Sequence, residues 1–212
     1  MHFLTYQRAR QIASQELRMC SVGKFMQTQT LLLGLGGNVA AGWGAPRETL
    51  ARACHELERA GVSIVCASNT YSTKPVGDTP QPRYLNAVVL AKAYIAPGVL
   101  LRLLKQIERR AGRRTGRAMA SRPLDLDILD YGGRRIGRPA LRRQRGRLIL
   151  PHPEMHKRAF VLIPLLEVAP AWRHPVSGRS AKALLTQLTP AARANVSQAL
   201  DSATNTCDKV PS

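Results

Sequence analysis

Acidic side chains are scarce in this chain. Its 212 residues hold 13 Asp+Glu against 32 Lys+Arg, a formal net charge of +19. So lopsided a balance points to a polyanionic partner, whether nucleotide phosphates, nucleic acid or an acidic surface. Aromatic residues make up only 5%, too few to furnish the stacking platform of an RNA-binding sheet. The four cysteines, Cys20, Cys54, Cys66 and Cys207, have no CxxC spacing and form no compact framework. That excludes a small disulfide-stapled scaffold, and they read as thiols of a reducing, cytoplasmic compartment. Apolar runs are short as well: Ala159 to Leu166 is interrupted by Pro164 and falls far below the roughly 20 residues of a membrane span.

What is present is a core and an uneven distribution of charge. A hydrophobic content of 44% supports one sizeable folded domain. Between Arg102 and Arg158 there are 17 Lys+Arg and 5 Asp+Glu, so about +12 of the +19 lies in roughly a quarter of the chain. Residues 1–29 are polar and basic and are expected to lie outside the domain, either as a targeting segment or because translation starts at Met26. The domain is expected over residues 30–190, with a tail over residues 191–212.

Periodicity and punctuation give the order of elements. Leu31–Leu35 reads as a strand. Pro46 opens a helix through Ala60, with Leu50, Ala53, Cys54 and Leu57 on one face and Gly61 as its stop. Val62–Tyr71 alternates and is rich in β-branched residues, hence a strand. Ser72–Arg83 carries four Pro or Gly residues, hence a loop. Tyr84–Tyr94 is a third strand, Pro97 to Gly112 a second helix, and Leu124–Tyr131 a fourth strand. The order β-α-β-β-α-β predicts an α+β, ferredoxin-like core with two helices on one face of the sheet. Helical additions are expected near Ala159–Val168 and over Ser180–Leu188.

The fourth strand carries the chemistry. In Leu124-Asp125-Leu126-Asp127-Ile128 the side chains alternate, so both carboxylates share one face, about 7 Å apart, and the apolar residues share the other. Paired acids are tolerated best where a cation bridges them, and hard Mg²⁺ accompanies polyphosphates. The arginines that precede them, from Arg109 to Arg117, suit phosphate. A half-exposed edge strand with solvated acids is the plainer alternative. Leu33-Gly34-Leu35-Gly36-Gly37-Asn38 lacks the third glycine and the distal acid of a dinucleotide fingerprint. His152 and His156 have zinc-pair spacing, but Pro151 and Pro153 argue against a helix carrying both. Tyr84 and Asn86 share a strand face and could offer a ring and an amide to a flat heterocycle.

Together these segments resemble the 6-hydroxymethyl-7,8-dihydropterin pyrophosphokinase family. Gly36-Gly37-Asn38 resembles its Gly-Ser-Asn, Tyr71-Ser72-Thr73 through Tyr84-Leu85-Asn86-Ala87 its Tyr-x-Thr…Tyr-Leu-Asn-Ala, and Arg122-Pro123-Leu124-Asp125-Leu126-Asp127-Ile128 its Arg-x-Leu-Asp-Leu-Asp-Ile. Pro151-His152 with Arg158-Ala159-Phe160 resembles its final block. The resemblance implies transfer of the diphosphate of ATP to a pterin hydroxymethyl group, releasing AMP, in folate biosynthesis. It implies two Mg²⁺ held by Asp125 and Asp127, and charge neutralisation by Arg113 and Arg122. ATP contacts would come from Glu108, Arg113, Arg122, Ile128, Arg147, His152 and Arg158. Pterin contacts would come from Thr73, Val76, Tyr84, Asn86 and Phe160. A monomer with small-molecule substrates, and with neither nucleic acid nor membrane as partner, is expected. The chain departs from the family pattern at Gly37 (serine), Lys74 (proline), Ala118 (a basic residue) and Met119 (tryptophan), and its loop Arg134–Arg147 is longer and more basic. An RNA-binding module would need aromatics on the central strands, and a palm-like nucleotidyl transferase would show no flat-ring pocket at Tyr84 and Phe160.

Overall fold

β1 (Gln29–Gly37) lies inside an antiparallel sheet, between β4 (Tyr84–Ala93) and β5 (Asp125–Tyr131). The computed structural model describes residues 27–75, 81–113, 121–137 and 148–199. β1 is longer than the apolar run Leu31–Leu35 because β4 offers ladder partners from Gln29 to Gly37. The far edge of β4 takes β2 (Val62–Ala67) along one half and β3 (Tyr71–Thr73) along the other.

The single strand expected over Val62–Tyr71 is thus broken. At Ser68 the hydroxyl accepts from the Val88 N–H at 3.0 Å. The Glu167 carboxylate then accepts from the Asn69 N–H at 2.8 Å and from the Tyr71 hydroxyl. Side-chain groups thus stand in for ladder partners at the break. Counting β2 and β3 as one broken strand, the order β5-β1-β4-β2/β3 is that of a ferredoxin-like sheet. A further short strand, β6 (Val196–Gln198), pairs with β3 at the edge.

Two helices cover one face. α1 (Pro46–Arg59) starts on a proline whose missing N–H costs nothing at the first turn, and Glu48 Oε2 accepts from the Ala45 N–H at 2.9 Å. α2 (Pro97–Arg110) also begins on proline. Both chains leave through left-handed glycines, Gly61 (φ 85) and Gly112 (φ 98). Leu50, Ala53 and Leu57 of α1 and Leu100, Leu104 and Ile107 of α2 pack on Leu31, Leu33, Leu35, Leu124, Leu126 and Ile128. The alternation read from β5 is therefore realised.

The opposite face is not left to solvent. α3 (Ala159–Val168) is apolar on nearly every side and packs with α4 (Ala181–Thr186) on Leu32, Val88 and Leu129. The expected helical additions thus form a third layer. The helix expected over Ser180–Leu188 is shorter, with Ser180 Oγ accepting from the Ala183 N–H. α5 (Pro190–Ala194) and β6 were not anticipated. Cys66, expected as a thiol, is disulfide-bonded, a pairing that spacing alone cannot reveal, whereas Cys54 is free. Among the described residues no helix is long and apolar enough to cross a membrane.

Candidate active site

The register of the sheet builds a floor with no side chains at its centre. Asp125 of β5 lies opposite Gly36 of β1, which lies opposite Asn86 of β4; one step along, Asp127 lies opposite Gly34, and Gly34 opposite Val88. A Cβ at Gly36 would sit 3.3 Å from Asn86 Oδ1, and one at Gly34 would sit 3.3 Å from Leu129. The two glycines therefore leave open backbone between the acids and Asn86, and a cleft of about 500 Å³ rises above it. Tyr84, Phe160, Thr73 and Arg122 line the same cleft as the two aspartates.

Asp125 is gripped on both oxygens. Arg113 Nη1 donates to Oδ1 at 2.5 Å, and Arg122 Nη1 to Oδ2 at 2.7 Å. Burial pushes the Asp125 carboxyl up, but Arg113, then Arg122 and Lys105, outweigh it and hold the group below the usual carboxylate range. Arg113 in turn lies 2.7 Å from Glu108 Oε1. The Glu108 carboxylate, 2% exposed, also accepts from Lys105 Nζ at 2.7 Å and from the Leu126 N–H at 2.8 Å. Burial raises Glu108 despite these partners. Glu108 thus ties α2 to β5 and aims Arg113 at the cleft. Asn38, absent from the expected site, fixes Arg122: its Oδ1 accepts from the Arg122 N–H at 2.8 Å, and its own N–H donates to the Arg122 carbonyl at 2.9 Å.

Asp127 faces His152, whose Nε2 lies 3.9 Å from Oδ2. His152 is oriented by its backbone, which donates to the Leu129 carbonyl at 2.9 Å, and by Nδ1, which accepts from the Glu154 N–H at 3.2 Å. Burial lowers its pKa more than Asp127 raises it, so the neutral ring with Nε2–H toward the acid is favoured at pH 7. Among the described residues no three His, Cys, Asp or Glu side chains converge to hold a metal by themselves. Two hard carboxylates over bare backbone fit an ion that takes its other oxygens from water and phosphate. His156 turns instead to His174, ring centroids 5.7 Å apart.

The other end of the cleft suits a flat ring. Tyr84 is half-buried, its hydroxyl donating to Gln81 Oε1 at 3.3 Å, and burial raises its pKa. Phe160 carries the Arg158 guanidinium 5.7 Å above its ring. Asn86 Nδ2 donates to Thr73 Oγ1 at 3.0 Å, which leaves Oδ1, beside Gly36, to accept from a ligand. Gln81 Oε1 also accepts from Asn38 Nδ2 and Ser121 Oγ, each at 3.3 Å. Nothing in the sequence flagged this junction, because its partners lie 43 and 40 positions away.

The expected site residues fall into three groups. Asp125, Asp127, Arg122, Tyr84, Asn86, Thr73, Phe160 and Arg158 come together around the cleft, with Arg113 bound to Asp125 and His152 facing Asp127. Glu108 is enclosed by protein donors, and the Ile128 side chain lies in the core on the helix face. Val76 and Arg147 lie outside the described residues.

Fold and cleft together define a ferredoxin-like α+β protein in which two carboxylates and two guanidiniums converge beside two aromatic side chains. The chain belongs to the 7,8-dihydro-6-hydroxymethylpterin-pyrophosphokinase family, whose model matches residues 32–170. A 2-amino-4-hydroxy-6-hydroxymethyldihydropteridine pyrophosphokinase of Synechocystis is 36% identical over 163 residues, covering 76% of this chain and 77% of that one. Its counterpart in Haemophilus influenzae is 38% identical over 141 residues, 66% of this chain and 81% of that one. A mitochondrial folate synthesis bifunctional protein of Arabidopsis thaliana is 39% identical over 138 residues, but these span only 23% of its length. A crystal structure of Plasmodium falciparum HPPK-DHPS with pterin and p-hydroxybenzoate superposes with a TM-score of 0.61 at 16% identity, covering 87% of this chain and 49% of that one. At that identity the likeness speaks to the fold alone.

Proposed function

We propose that this chain transfers the β,γ-diphosphate of ATP to the hydroxymethyl oxygen of 6-hydroxymethyl-7,8-dihydropterin, giving AMP and the pterin diphosphate. The observation that carries this reading is the placement of Asp125 and Asp127 in one cleft with Tyr84, Asn86 and Phe160. Family membership supports it, and so do the names of the relatives.

Mg²⁺, held by Asp125 and Asp127, would supply charge neutralisation and a template for the triphosphate. Arg113 and Arg122, now on Asp125, are then free to turn to the transferring group. Glu108 and Asn38 keep these two arginines within reach, so little reorganisation is needed when charge moves. His152 and Arg158 border the phosphate side. Tyr84 and Phe160 sandwich the ring, and Asn86 Oδ1 accepts from an N–H on its edge. The alcohol oxygen attacks the β-phosphorus, the bond from that phosphorus to the bridging oxygen of AMP breaks, and the alcohol proton leaves to solvent. No side chain of the cleft has to act as a nucleophile.

The test is AMP release from ATP and Mg²⁺ with and without the hydroxymethyl pterin. Pterin-dependent AMP is expected from the wild-type chain. Asp127→Ala is expected to lower it by about three orders of magnitude while the thermal unfolding midpoint holds. Full activity in that variant removes the metal role, and AMP release that ignores the pterin removes the substrate.

A further inference from the structure

One wall of the cleft comes from beyond the family match. That match ends at residue 170, whereas α5 and β6 follow it in the chain. β6 adds to β3 with Val196 opposite Thr73, and the Ala199 N–H donates to the Thr70 carbonyl at 2.9 Å. This pairing brings Ala192 and Asn195 to the cleft that holds Asn86 and Phe160. Asn195 ends α5, its own N–H donating to the Ala191 carbonyl at 3.1 Å. Its side-chain Oδ1 accepts from the Lys74 N–H at 3.2 Å. Lys74 stands between Thr73 and Pro75, and all three line the cleft. The link needs a backbone N–H at position 74, which any residue but proline supplies.

We propose that Asn195 is a positioning residue for the pterin: by holding the backbone of Lys74 it sets the Thr73–Pro75 rim against which the ring edge lies. The inference rests on the reading of the cleft given above. It goes beyond that reading by assigning ring affinity to a segment outside the family core. The acids and arginines for phosphate stand on and before β5, across the β1 floor from this rim. Loss of the link therefore acts on the ring and spares the nucleotide.

Steady-state kinetics on the full-length chain separate the two ends of the cleft. Asn195→Ala is expected to raise KM for the hydroxymethyl pterin about five-fold, the effect of one lost hydrogen bond. kcat and KM for ATP should stay within about two-fold of wild type. Asn195→Asp keeps an acceptor oxygen and should restore most of the pterin KM. Amide exchange at Lys74 should speed up in Asn195→Ala and return toward the wild-type rate in Asn195→Asp. An unchanged pterin KM, even with a lowered melting temperature, overturns the inference, and so does a rise shared equally by ATP. Unchanged exchange at Lys74 overturns it as well. A wild-type chain that makes no AMP sinks the reading of the site and this inference together, while an active wild type beside an unshifted variant sinks the inference alone.

Discussion

Asp125 shows how a single side chain records what the cleft is for. Its carboxyl is held low because Arg113 and Arg122 outweigh the burial that would push it up. A group with a depressed folded pKa contributes its full stability above the ordinary value of about 3.9 and loses it as pH falls through the lower folded value. Asp125→Asn should therefore cost about 2 kcal/mol at neutral pH, with the gap to wild type closing below pH ~4. Urea titrations of both proteins at neutral and acid pH check this, and a gap that does not change with pH refutes it. Tyr84 offers a second test. Its ring is one of the two faces proposed for the pterin, so Tyr84→Ala should weaken pterin binding by about 1 kcal/mol, roughly five-fold, with ATP binding unchanged. Calorimetric titration of each ligand would show whether the ring sits there. At this scale the sequence was informative where chemistry repeats at short range: the two acids of β5 alternate with core leucines, and the strand period alone assigns them a shared face. It gave no role to Asn38, quoted only within the Gly36-Gly37-Asn38 resemblance, and was silent on Gln81. Their roles arise from partners tens of residues away, and neither residue type announces a site.

Among the elements, β1 has the most exacting surroundings. Gly37 ends the strand against the segment leading into β5, and a Cβ there would lie 2.4 Å from the Pro123 carbonyl oxygen. Gly37→Ser should push that segment away, lowering stability by about 1–3 kcal/mol. It should also disturb Arg122, whose backbone is tied to Asn38 next door. Denaturant unfolding together with the AMP assay reads both effects, and a fully stable, fully active variant would falsify the close approach. α1, α2 and β5 could be read in advance because each carries a long periodic pattern closed by proline or glycine. The break between β2 and β3 could not, since the acid that stabilises it, Glu167, lies 98 positions from Asn69. Nor could β6, which is only three residues long and depends for its existence on an edge supplied by β3.

For the molecule as a whole, the sheet is buried on both faces, and the second cover comes late in the chain. Leu162, Leu165 and Ala181 are fully buried and Leu184 nearly so, at 4%. Trp172 anchors this layer to β5 by donating from Nε1 to Asp130 Oδ2 at 3.0 Å. Truncation after Pro170, where the family match stops, should therefore lower the melting temperature and expose apolar surface to a hydrophobic dye. Unchanged melting would mean that the third layer contributes nothing to stability. The position of β6 carries a temporal consequence. During synthesis the strands with the acids and the glycine floor leave the ribosome before the segment that brings Ala192 and Asn195 to the cleft. A nascent chain can thus expose both aspartates first, and the wall that carries Ala192 and Asn195 is added only once β6 has been released.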